Sequence, residues 1–133
     1  MSDNLQIEFN EHPKFTKEFE KFCKKYHQST LAYRHLCTLL SLHFNPNNKH
    51  NPQFSLKVLH RLENIGTNLI AYKVIMNTKG LSQGQAPRIC LWVRGTLITF
   101  LCFGTHMDNY KDSELRELVK VRIKELDTTV VLS

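Results

Sequence analysis

LIAYKVIMN-TKGLSQGQAP-RICLWVRGTLITFLCFGTH, residues 69–106, is the stretch that decides the fold. It reads as three strands, at about 69–77, 87–94 and 96–105. One polar loop bearing glycine joins the first two, and a tight Arg94-Gly95 turn joins the last two. Nearest-neighbour connections of this kind favour an antiparallel meander. Both faces of the strands are largely apolar, which predicts a sheet covered on one side and partly covered on the other. Between Asn64 and Met107 there is no Asp or Glu, while the window holds Lys73, Lys79, Arg88 and Arg94 and ends on His106. A sheet that carries cations and no carboxylates sets up a positive potential on its polar face, which suits a polyanion.

Working outward, Leu5 to Asn10 alternates apolar with polar and predicts a short opening strand with Leu5, Ile7 and Phe9 on one face. Pro13 fits the first turn of a helix, where its missing N–H costs nothing. From Lys14 to His27, Phe15, Phe19, Phe22, Cys23 and Tyr26 recur at helical spacing, with Lys17, Lys21, Lys24 and Lys25 opposite. Gln28-Ser29-Thr30 offers an N-cap for a second helix over about 31–44. Its expected inner face is Leu31, His35, Leu36, Leu39, Leu40 and His43, with both histidines in the core or at its boundary. So short a link predicts an antiparallel helical hairpin. Asn45 to Pro52 is loop by composition, and Phe54 to His60 reads as a short strand or an irregular lead-in. The last helix starts near Ser113, with Glu114 and Glu117 in its first turn. Its stripe is Leu115, Leu118, Val119, Arg122, Ile123 and Leu126, and a short tail follows. The expected class is α+β, in a single domain spanning 1–133.

At 133 residues the chain is long enough to bury a core. A net charge of +6 and a pI near 9.3 favour an anionic partner, with nucleic acid ahead of membrane. No apolar run approaches the roughly 20 residues of a membrane span. MSDNLQIEFNEH fits neither a signal nor a transit peptide, so a cytoplasmic protein is expected. Cys23, Cys37, Cys90 and Cys102 lack C-x-x-C spacing and sit inside apolar patterns, as buried free thiols do. No two of the seven histidines are spaced i, i+4, and no metal site is expected.

Lys73 shares a strand face with Leu69, Ala71 and Ile75, and Arg88 shares one with Cys90, Trp92 and Arg94. His106 closes the third strand, and Tyr110 follows closely. On spacing alone these cations could converge on a ligand or could equally solvate the open face of a sheet. Trp92 is assigned to the core rather than to base stacking.

The order strand, two helices, antiparallel strands, terminal helix resembles the RelE/ParE superfamily of toxins from bacterial toxin–antitoxin systems. The matching segments are KFTKEFEKFCKKYHQST, AYKVIMN, KGLSQGQAPRICLWV and TLITFLCFGTHMDNYKDSELREL, spanning about residues 5–126. The resemblance implies a RelE-like microbial RNase architecture, with an N-terminal strand and helical hairpin packed on an antiparallel sheet. It implies a metal-independent endoribonuclease without cofactor, cutting mRNA in the ribosomal A site or, as in some branches of the family, independently of the ribosome, and silenced by a cognate antitoxin. In that chemistry a base takes the ribose 2′-OH proton, the oxygen attacks the adjacent phosphorus in line, and an acid protonates the leaving 5′-oxygen. Carried over, Lys73 is a phosphate clamp or the base, Arg88 grips the scissile phosphate, and His106 is the acid/base candidate. Tyr110 donates a proton or stacks on a base, and Lys79 and Arg94 make secondary phosphate contacts. A lysine serves as a base only when its pKa falls, and like-charged neighbours push that way. The chain departs from the pattern at Ile75, where many relatives have a second basic residue. Two other functions fit the resemblance less well or claim less: a ParE-like inhibitor of DNA gyrase that cuts nothing, and a basic nucleic-acid-binding module without catalysis.

Overall fold

The computed structural model describes residues 6–48, 52–55, 57–82, 84–104 and 111–133. In chain order the elements are β1 (Glu8–Glu11), α1 (Pro13–Lys25), α2 (Ser29–Phe44), β2 (Leu59–Leu62), β3 (Ile70–Ile75), β4 (Arg88–Arg94), β5 (Leu97–Gly104) and α3 (Asp112–Leu126). The class is α+β, with one five-stranded sheet in the order β1-β5-β4-β3-β2. The meander β3–β4–β5 is present, and β2 extends it antiparallel along β3. β1 departs from the antiparallel expectation. It pairs parallel with β5, Glu8 beside Leu97 through Glu11 beside Phe100, so the sheet is mixed. A parallel partner needs a crossover, which the intervening helices and strands supply.

Two cores sandwich this sheet. On one face Phe15 and Phe22 of α1, and Leu36 and Leu40 of α2, pack on Val74, Ile89, Leu91, Ile98, Phe100 and Phe103. The aromatic stripe of α1 is core, as its spacing predicts. Phe15 is fully buried, with its ring centroid 5.2 Å from that of Phe100. On the other face Leu115, Val119 and Ile123 of α3 cover Ala71, Cys90, Trp92, Leu101 and Cys102.

α2 differs from its expected orientation. Leu31 and His35 are exposed, and the buried side is Ser29, Leu36 and Leu40, with Tyr33, Cys37 and Phe44 half-buried. Apolar residues nearly encircle this helix, so the pattern fits more than one inward face. Tyr33 reaches Phe100 on β5 and Phe44 reaches Tyr72 on β3, each with ring centroids 5.2 Å apart. α2 therefore crosses the strands, and its ring contacts with α1 gather at Phe15 and Phe19 against Tyr33 rather than along a hairpin. His43 is a boundary residue. Its Nδ1 accepts from the Gln53 N–H at 3.1 Å, its ring meets Phe44 and Phe54 edge-on, and burial pushes its pKa down.

β5 carries a bulge that its unbroken apolar sequence conceals. Cys90 faces Cys102, but Leu91 faces Phe100, leaving Leu101 as the extra residue. Leu101 and Cys102 both join the α3 core while Phe100 and Phe103 turn the other way. Pairing with β1 has ended here, its last bond being His12 N–H to the Phe100 carbonyl at 2.8 Å. Two side chains satisfy the edge beyond it. Arg122 donates to the Leu101 carbonyl at 2.6 Å, and Glu18 accepts from the Phe103 N–H at 3.1 Å. The same two residues pair with each other at 2.7 and 2.9 Å, joining α1 to α3 around the sheet edge. Beside them His12 caps α1, accepting from Lys14 N–H at Nδ1 and meeting Glu125 at Nε2, 2.9 Å away.

The tail is also pinned. Ser133 N–H bonds the Ile65 carbonyl and Thr67 N–H bonds the Val131 carbonyl, so the terminus lies against the Ile65–Asn68 turn. No helix among the described residues is long and apolar enough to cross a membrane.

Candidate phosphate-binding face of the sheet

Strand register places Lys73 and Arg88 together. Lys73 lies opposite Cys90, and Arg88 lies opposite Ile75, one step along the same face. They are diagonal neighbours, about 7–8 Å apart across the strands, within reach of one phosphate for side chains this long. The face is the one α3 covers. Ala71 precedes Lys73 on it, and Cys90 and Trp92 follow Arg88. Both cations are half-buried, at the edge of that cover. Lys73 lies close enough to Cys90 to act on its thiol electrostatically, which agrees with the register. The Arg88 guanidinium donates to the Ala86 carbonyl, which anchors it at the start of β4.

The end of β5 completes this corner. Gly104, the last described residue of β5, is the partner of Arg88 and stands two positions before His106 in the sequence. His106 and Tyr110 lie outside the described residues. Lys79 is exposed in the loop between β3 and β4, at the same end of the sheet as Arg88.

Arg94 belongs elsewhere. It shares the face of Arg88 but sits six residues along the strand, about 20 Å away at the usual rise. Its guanidinium lies 3.8 Å from the centroid of the Trp92 ring and reaches the Thr99 hydroxyl at 3.4 Å. That cation–π contact seals the far end of the core. Trp92 itself is 2% exposed, a core residue as expected.

His60 joins the corner without having been anticipated. On β2 it lies directly opposite Lys73, and Leu62, two residues on, faces the α3 core, so His60 and Lys73 share a face. Its ring is exposed. The sequence signal was poor because LHRL does not alternate: Leu59 is buried on one face and Leu62 on the other. A strand whose ends bury residues on opposite faces loses the period of two.

Two of the cysteines, Cys90 and Cys37, are poor nucleophiles. All four are free; Cys90 and Cys102 are buried and Cys23 and Cys37 half-buried. A hydrogen bond with Cys102, and then burial, push the Cys90 thiol well above its ordinary value, and burial lifts Cys37 to about 11. Such thiols stay protonated at neutral pH.

No family model, curated protein or solved structure matches the chain.

Proposed function

We propose that this chain is a metal-independent endoribonuclease of the RelE-like kind, a toxin that cuts mRNA on the ribosome and is held in check by an antitoxin. The observation that carries the reading is the diagonal pairing of Lys73 and Arg88 on one sheet face, with Gly104 as the partner of Arg88. Two cations one strand apart match a bridging phosphate. They would hold the scissile group in line with the neighbouring 2′-oxygen and stabilise charge as it builds on phosphorus. His106 and Tyr110 are the proton-transfer candidates, since a histidine can give or take a proton near neutrality. Lys79, exposed at the same end, is a contact for a flanking phosphate. Arg94, turned onto Trp92 at the other end of the strand, stands apart from the Lys73–Arg88 pair.

Inducible expression in bacteria with genome-wide mapping of mRNA 5′ ends tests this. Growth arrest with new ends inside translated codons is expected, and Arg88→Ala should abolish both while leaving the protein folded. Arrest with intact mRNA would favour a non-cleaving inhibitor. RNA binding with neither arrest nor cutting would leave only a binding module.

A further inference from the structure

We propose that His60 is a third phosphate-contacting residue of this face, extending the Lys73–Arg88 pair into a track for the backbone of single-stranded RNA. The inference rests on the ribonuclease reading and deepens it. Register sets His60 directly across from Lys73, with β-carbons about 4.5–5.5 Å apart, and Arg88 lies diagonally beyond Lys73. The three basic side chains thus run obliquely across β2, β3 and β4 on one face, with Arg88 and Lys73 half-buried and His60 exposed. Successive phosphates of a single strand are spaced so that one can bridge Lys73 and Arg88 while the next meets the edge strand.

A charged edge strand has another common purpose, which is to discourage pairing with a second sheet. Arg61 already does that on β2, and it lies opposite Tyr72 on the other face. His60 is the residue that falls in the row of Lys73. An imidazole there can donate an N–H to a phosphate oxygen, and gains a charge-assisted bond when protonated.

The test measures binding of the full chain to a 2′-O-methyl hexanucleotide, which lacks the attacking hydroxyl, across a salt series at about pH 6. His60→Gln is expected to weaken binding about five- to tenfold and to flatten the salt dependence by roughly 0.7 in log–log slope, the loss of one phosphate contact on a single strand. His60→Lys should restore both. Melting temperatures of the two variants should match the parent, because the side chain is exposed. If His60→Gln binds with the parent's affinity and slope, or if His60→Lys is as weak as the glutamine variant, the inference fails. Arg88→Ala separates this from failure of the underlying reading. Weakening by Arg88→Ala alone removes only His60, whereas indifference to both substitutions removes the phosphate-binding face and the inference with it.

Discussion

Replacing Arg122 by methionine should be among the most damaging single changes to the fold. Its side chain is 7% exposed and that of its partner Glu18 29%. The substitution strands the Leu101 carbonyl at the bulge and leaves the Glu18 carboxylate without its bidentate partner, though still bonded to the Phe103 N–H. Breaking one side of a buried ion pair costs about 3–5 kcal/mol. Water can reach Glu18, which places the expected cost near the lower end, about 3 kcal/mol. For a chain of this length that is a fall in melting temperature of about 10–12 °C. Glu18→Gln keeps an acceptor for Phe103 and should cost about 1–2 kcal/mol. Urea denaturation of the two single variants and the double variant completes the cycle. The double variant should lose less than the sum by about 1–2 kcal/mol, because either change removes the same interaction. A loss under about 1 kcal/mol for Arg122→Met, or simple additivity, would refute the view that this pair fastens α1 and α3 to the free edge of β5.

Other perturbations follow from the same packing. Phe15→Ala opens a cavity against Phe100, Phe103 and Tyr33 and should cost about 3–5 kcal/mol in denaturant titration. Gly66→Ala would drive a methyl group into the Val131 carbonyl and Leu69, costing about 1–3 kcal/mol and freeing the tail to rapid amide exchange at Ser133. His43 is held below its ordinary pKa by burial, so the unfolded chain takes up its proton first as pH falls. Its contribution to stability is therefore complete above about pH 6.5 and is lost as pH drops through the lower folded value. Melting temperatures of the parent and His43→Gln should converge between about pH 7 and 5, the variant lacking this dependence.

How much could be read in advance depended on where the information lies. The meander was legible because β3, β4 and β5 are consecutive and their turn residues are explicit, Gly95 taking a φ of 59° in a two-residue loop. The stripes of α1 and α3 were legible because each has a single apolar side, and Arg122 fell on its stripe although its reason for burial, the bulge carbonyl, could not be seen. Three features were hidden for distinct causes. The parallel partner of β1 lies some ninety residues away, and no local pattern encodes it. The inward face of α2 was ambiguous because leucines lie on several sides of it. β2 lacked alternation because its two buried residues, Leu59 and Leu62, face opposite cores, which also hid His60. At the candidate site, shared parity put Lys73 and Arg88 on matching faces only once the register was known. The same parity also groups Arg94 with them on one face, but it carries no information about distance along the strand.

The most direct measurement places purified protein with ribosomes stalled on a defined mRNA, and compares an all-ribose message with one carrying a single 2′-deoxy sugar at the mapped cut. Attack by the neighbouring hydroxyl predicts cutting of the first message to a 5′-hydroxyl end, no cutting at the deoxy position, and no cutting of either by Arg88→Ala. Cleavage that persists at the deoxy sugar, or an all-ribose message left whole, would contradict the claim that Lys73 and Arg88 hold an RNA phosphate for attack by its own strand.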